Sequence, residues 1–141
     1  MSQENLQRWH AHLRGELEGG LDVLLHDDVV FYSPVVFTPQ KGKEVTKLYL
    51  NAAAATFSEG KSARILNTES SNFRYIKEVV CGNQTVLEFE TELDGKYVNG
   101  VDMITWNDAG QIIEFKVMVR PLQAMNMLHA QMKDMLELMA G

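Results

Sequence analysis

Between Asn72 and Arg120 one pattern recurs four times: "NFRYIKEVVC", "QTVLEFETEL", "KYVNGVDMITW" and "QIIEFKVMVR" alternate apolar or β-branched residues with polar ones. A period of two belongs to a strand with one face against a core. The separators are short: Gly82-Asn83, Asp94-Gly95 and "NDAG" at 107–110. Asp-Gly between two alternating runs is a strong signal for a type I′ hairpin. Strands joined by such tight turns run up and down, so the second half of the chain is expected to form an antiparallel meander.

Ahead of the meander the period is helical. Leu6, Trp9, Leu13 and Leu17 recur at three- and four-residue steps and predict a helix ending near Gly19-Gly20. "LDVLLHDD" then leads into "VVFYSPVVFTPQKG", where β-branched and aromatic residues meet Pro34 and Pro39, a short strand ending in a constrained loop. From Lys43 to Glu59, Val45, Leu48, Tyr49, Ala52, Ala53 and Phe57 fall on one helical stripe, with Gly60 as its stop. After the meander, Pro121 suits a first helical turn, and Leu122, Met125, Leu128, Met132, Met135 and Met139 continue at helical steps. Helices followed by a sheet make an α+β fold, and 141 residues suit a single domain over 1–141.

The alternation assigns most charges to one sheet face. With Phe89, Thr91, Leu93 and Ile113, Phe115, Val117, Val119 toward the core, the residues Glu88, Glu90, Glu92, Glu114, Lys116 and Arg120 share the other side. The third strand resists this division. Its faces are Gly100, Asp102, Ile104, Trp106 and Asn99, Val101, Met103, Thr105. Aspartate is depleted in strands, and an unpaired buried carboxylate costs several kcal/mol. Pattern alone leaves both sides open to Asp102.

Several function classes drop out. No run approaches the ~18 apolar residues of a membrane span. The N-terminal "MSQENLQRWHAHLRGEL" mixes both charge signs and lacks the order of a signal peptide, so the expected location is cytoplasmic. Cys81 stands alone and is read as a small residue at a strand end. His10, His12, His26 and His129 show no metal-binding spacing, and no Gly-rich phosphate loop occurs, so neither metal nor cofactor is expected. A net charge of −6 without a Lys/Arg cluster argues against nucleic acid.

The order of helix, short helix, strand, Pro-containing loop, long helix and four-stranded meander resembles the cone-shaped NTF2-like superfamily, particularly its ketosteroid-isomerase-like and SnoaL-like members. "LDVLLHDDVVFYSPV", "GKEVTKLY" and "GVDMITWNDAGQIIEFKV" carry the resemblance, which reaches to about Arg120. It implies helices packed in a curved antiparallel sheet with a C-terminal helix, and an apolar pocket inside. The implied lining is Trp9, Tyr49 and Phe57 from helices, Ser33 from the loop, and Phe89, Phe115 and Val117 from the sheet.

Position by position, the ketosteroid isomerases' general-base aspartate falls on Ser33 and their first-helix tyrosine on Trp9, while further pocket tyrosines fall near Leu25 and Leu50. The aspartate kept protonated to bond the forming oxyanion falls on Asp102. This mismatch argues against a 3-oxo-Δ5-steroid isomerase. The carboxylate–arginine–carboxylate relay of limonene-epoxide hydrolases meets Gly100 and about Val117 at two of its three positions. In polyketide cyclases a pocket aspartate is acid or base, a role open to Asp102.

Asp102 therefore has two readings. It is an acid–base group on a small, mostly apolar, oxygen-bearing ligand, in isomerase, cyclase or hydratase chemistry, or a structural carboxylate bonded to the Trp9 indole or to water. Trp9 and Tyr49 are read as core residues first, and Ser33 as a hydroxyl bonding the backbone before a proline. The alternative function is a ligand-binding or protein-interaction module without chemistry. With Asp102 inward, Val101, Met103 and Met118 form an apolar patch outside the sheet, through which a homodimer is expected. The methionine helix is expected to be a lid over the cone mouth or an arm to a second subunit.

Overall fold

In the computed structural model, which describes residues 2–59, 73–93 and 95–140, the chain runs α1 (Ser2–Leu13), α2 (Leu21–Leu24), β1 (Leu25–Tyr32), β2 (Gln40–Lys41), α3 (Lys43–Glu59), β3 (Arg74–Cys81), β4 (Gln84–Leu93), β5 (Lys96–Trp106), β6 (Ile112–Arg120) and α4 (Leu122–Ala140). The meander forms as the alternation requires. β4 and β5 pair without interruption from Gln84 opposite Thr105 to Leu93 opposite Lys96, and Gly95, directly before Lys96, takes a φ of 79°. That left-handed backbone conformation is what the Asp-Gly signal demands.

The sheet has six strands in the order β2-β1-β6-β5-β4-β3. It is mixed, where the resemblance implied an antiparallel sheet: β1 lies parallel to β6, with Phe31 opposite Phe115. A strand separated from its neighbour by the rest of the fold is free to pair in either direction.

The face of the third strand is decided. Gly100, Asp102, Ile104 and Trp106 are inward and buried, while Val101, Met103 and Thr105 are half-buried on the outer side. Ile104 and Trp106 bury far more apolar surface than Val101 and Met103 would, and a strand turns as a unit, so Asp102 is carried inside. Trp106 satisfies its indole N–H on Thr85 Oγ1 at 3.1 Å. Gly100 is required by packing, because a Cβ there would strike the Phe89 ring and lie 2.9 Å from the Met118 carbonyl oxygen.

Two expectations shift. The first helix stops at Leu13 rather than near Gly19, because Gly15 takes a φ of 75° and closes a Schellman motif, its N–H on the His12 carbonyl (2.9 Å) and the Glu16 N–H on the Ala11 carbonyl (2.8 Å). Leu17, outside the helix, still packs against the core. On β6, Ile112 is the fully buried residue and Ile113 is not, because the β5–β6 register slips between Thr105 and Trp106 and turns the strand over at that point. The expected stop at Gly60 lies outside the described residues.

The core divides into two clusters around the concave side of the sheet. One joins α1, α2 and β1 to Leu87, Ile104, Trp106, Ile112 and Phe115; the other packs Ala52, Ala124 and Leu128 onto Phe89, Leu93 and Val98. The start of α4 thus closes over the sheet beside α3. Among the described residues no helix is long and apolar enough to cross a membrane.

Candidate functional site

Between the two clusters lies a cavity of about 400 Å³. Its walls are mostly apolar: Phe31 from β1, Leu50 and Ala53 from α3, Phe89 from β4, Phe115, Val117 and Val119 from β6, and Leu128 as a roof from α4. Trp9, His12 and Leu13, three and four residues apart on α1, supply one side. Phe73 and Tyr75, two apart at the start of β3, continue the wall beside them, with Phe73 stacked on Phe89 at 4.9 Å between centroids. Asp102 opens into this space from the middle of β5.

A short chain of hydrogen bonds runs along the wall. The Trp9 indole N–H donates to the Tyr75 hydroxyl oxygen at 3.1 Å, and the Tyr75 O–H donates to Asp102 Oδ2 at 2.9 Å. Asp102 is 7% exposed and faces Leu87 and Val117 in the neighbouring strands. Burial in this apolar setting pushes its pKa up to about 7, partly opposed by the Tyr75 hydrogen bond. Burial first, and then the Asp102 charge, hold the Tyr75 hydroxyl well above its ordinary value, so Tyr75 keeps its proton and donates it. On α1, burial lowers the pKa of His12, whose ring lies 5.3 Å from that of Trp9, and keeps the imidazole neutral. The wall thus carries a carboxyl biased toward its protonated form and an imidazole biased toward its neutral form.

No family model matches the sequence, and no curated protein does. Solved structures do. A steroid delta-isomerase from Pseudomonas aeruginosa superposes with a TM-score of 0.82 at 29% identity, covering 99% of this chain and 95% of its own. An uncharacterised protein with a cystatin-like fold from Silicibacter pomeroyi DSS-3 follows at 0.74 and 27%, over 92% and 83%. An NTF2-like protein of unknown function from Mesorhizobium loti gives 0.64 at 17%, over 85% and 91%. The chain has the NTF2-like fold.

Within this NTF2-like cone the expected pocket residues separate. Trp9, Phe89, Phe115, Val117 and Asp102 line the cavity together. Tyr49 does not; it packs behind the wall, 5.4 Å from Phe31 between centroids, as a core residue. Ser33 is the backbone-bonding hydroxyl the residues suggested, accepting the Val35 N–H at 3.2 Å and closing its own turn, so Pro34 rather than Ser33, which the resemblance put in the lining, reaches the cavity. The Phe57 side chain lies outside the described residues. Trp9 bonds Tyr75 and not, as one reading had it, Asp102 directly.

Tyr75 and His12 are site residues that the sequence reading passed over. Both carried a signal. Tyr75 alternates with Phe73 in "NFRYIKEVVC", and His12 follows Trp9 by three on a helix whose face was already assigned to the core. The donor looked for near Leu25 and Leu50 comes instead from β3; Leu25 is fully buried core, and Leu50 lines the cavity as an apolar residue. Among the described residues no three His, Cys, Asp or Glu side chains are placed to hold a metal ion.

Proposed function

We propose that this NTF2-like protein binds a mostly apolar organic molecule, seats its carbonyl oxygen against Asp102, and moves protons on it. The observation that carries this reading is a buried carboxyl, with a pKa of about 7, that opens into an apolar cavity with the Tyr75 hydroxyl behind it. Because Tyr75 donates to Oδ2, a protonated Asp102 presents its acid proton from Oδ1. An acid with a pKa near ambient pH suits proton transfer, and a donor in a dry site stabilises a developing oxyanion more than one in water. A cavity of about 400 Å³ suits a small-molecule site, whose range is roughly 300–1,000 Å³. The steroid delta-isomerase that spans nearly the whole chain supports double-bond isomerisation over cyclisation or hydration.

A second reading, ligand binding without chemistry, is favoured by Ser33. The residue directly before Pro34, where the resemblance expects a base, is a serine tied into its own turn. The two readings separate with prodan, a fluorescent naphthyl ketone whose one carbonyl only accepts hydrogen bonds. Binding is expected to be tight below pH 7 and to weaken above it, and Asp102→Asn is expected to flatten that dependence. A prodan affinity unchanged by both pH and Asp102→Ala would refute the donor role. An Asp102→Asn variant that retains affinity but loses isomerisation of a β,γ-unsaturated ketone supports the enzyme; loss of affinity alone supports the binder.

A further inference from the structure

We propose that His12 is the proton-accepting base of this site, and that the substrate is a ketone carrying a removable hydrogen on the carbon next to its carbonyl. The inference rests on the reading of Asp102 as the donor to the ketone oxygen. Three ionisable side chains line the cavity among the described residues: His12, Tyr75 and Asp102. Tyr75 commits its proton to Asp102, and Asp102 is the donor, so His12 remains to take a proton.

Its surroundings fit the task. The other histidine of the same helix, His10, is engaged at 2.8 Å by Glu78, while no hydrogen bond or ion pair engages the His12 ring among the described residues. A half-buried imidazole on an apolar wall is biased toward its neutral form, which leaves a ring-nitrogen lone pair open to take a proton while the Asp102 carboxyl, biased the other way, keeps its own. Trp9 stands between acid and base: its ring tilts against His12 at 5.3 Å, and its N–H points to the Tyr75–Asp102 pair at 3.1 Å. A flat ketone held by Asp102 in this cavity keeps its α-carbon beside its oxygen, within a space whose wall also carries His12.

The step balances without an oxidant or cofactor. The α-carbon–hydrogen bond breaks and its proton passes to the His12 ring nitrogen. The bonding pair becomes the enol double bond, and the carbonyl π pair moves onto oxygen, which takes the Asp102 proton or its hydrogen bond. The imidazolium then returns a proton to the α-carbon, or to the γ-carbon of a β,γ-unsaturated ketone, and the carbonyl re-forms as its oxygen gives back to Asp102 any proton it took.

Prodan tests this directly, since its propionyl CH2 is α to the carbonyl. In D2O the protein is expected to speed deuterium uptake at that CH2, read by proton NMR, while fluorescence reports binding separately. His12→Ala is expected to slow exchange by at least about 100-fold, far more than it weakens prodan binding, and to regain exchange when imidazole is added. His12→Gln, which keeps the size of the side chain, guards against a packing artefact and is expected to lose exchange as well. Exchange by His12→Ala at the wild-type rate, or loss without imidazole rescue in a variant that still binds, overturns the base. Asp102-dependent binding with no exchange by the wild type overturns it too, while leaving the binding reading intact; absence of prodan binding removes both.

Discussion

The Tyr75 hydroxyl stands 2.9 Å from Asp102 Oδ2 and donates to it, so two residues 27 apart in sequence share one proton environment inside the cone. β4 lies between their strands, so the pair exists only when three strands are in register. Burial in the apolar wall makes this carboxyl prefer to keep its proton, against the pull of the Tyr75 hydrogen bond.

Stability should record that preference. In the folded chain Asp102 holds its proton up to about pH 7, whereas its ordinary pKa is 3.8. The folded state therefore binds more protons between these values. Its contribution is fully present below pH 3.8, falls as the pH rises toward 7, and is level above; over roughly three units it amounts to about 4 kcal/mol. Urea unfolding of wild type and Asp102→Asn from pH 4 to 8 checks this, and the difference between the two proteins is expected to tilt in favour of the asparagine as the pH rises.

Tyr75→Phe removes the hydroxyl that accepts the Trp9 N–H and donates to Asp102. It is expected to cost about 1–3 kcal/mol, because the indole N–H and a carboxyl oxygen lose their partners. The Asp102 pKa is expected to rise further, since the Tyr75 hydrogen bond is what holds it down. Carbon-13 NMR of the carboxyl reads the shift; a fall in the pKa would contradict the network.

Gly100 and Phe89 face each other across β4 and β5. Gly100→Ala drives a methyl into the Phe89 ring and the Met118 carbonyl, and is expected to cost about 1–3 kcal/mol by overpacking. Phe89→Leu in the same chain should recover part of the loss. The double-mutant cycle from denaturation curves measures the coupling, and strict additivity would mean that the ring does not set the requirement for glycine.

On the outer sheet face Val101 and Met118 lie opposite each other, and Met118 is 49% exposed. With Met103 beside them they form an apolar strip between Glu88 and Lys116, the patch through which two copies are expected to pair. Light scattering at micromolar concentration should give twice the chain mass, and Met118→Asp should return it to one. A wild-type monomer would rule the pairing out.

The sequence by itself determined the local elements. Period-two alternation with Gly-Asn and Asp-Gly turns sets the meander, and the Val45–Phe57 stripe sets α3, because both signals act between near neighbours. Gly15 rather than Gly19 ends α1, although both take a positive φ, because the bonds back to the His12 and Ala11 carbonyls close at Gly15. Tertiary structure decided the rest. The side taken by Asp102 followed from the larger apolar load of Ile104 and Trp106, a competition across the whole strand that its own alternation leaves tied. Ser33 and Tyr49, which the resemblance put in the pocket, sit in a turn and in the core as their own residue types suggested, while Tyr75 and His12 were brought to the cavity from β3 and α1. The parallel pairing of β1 with β6 and the meeting of Tyr75 with Asp102 rest on contacts far apart in sequence. Such contacts depend on how faces pack and registers lock, which no local pattern encodes.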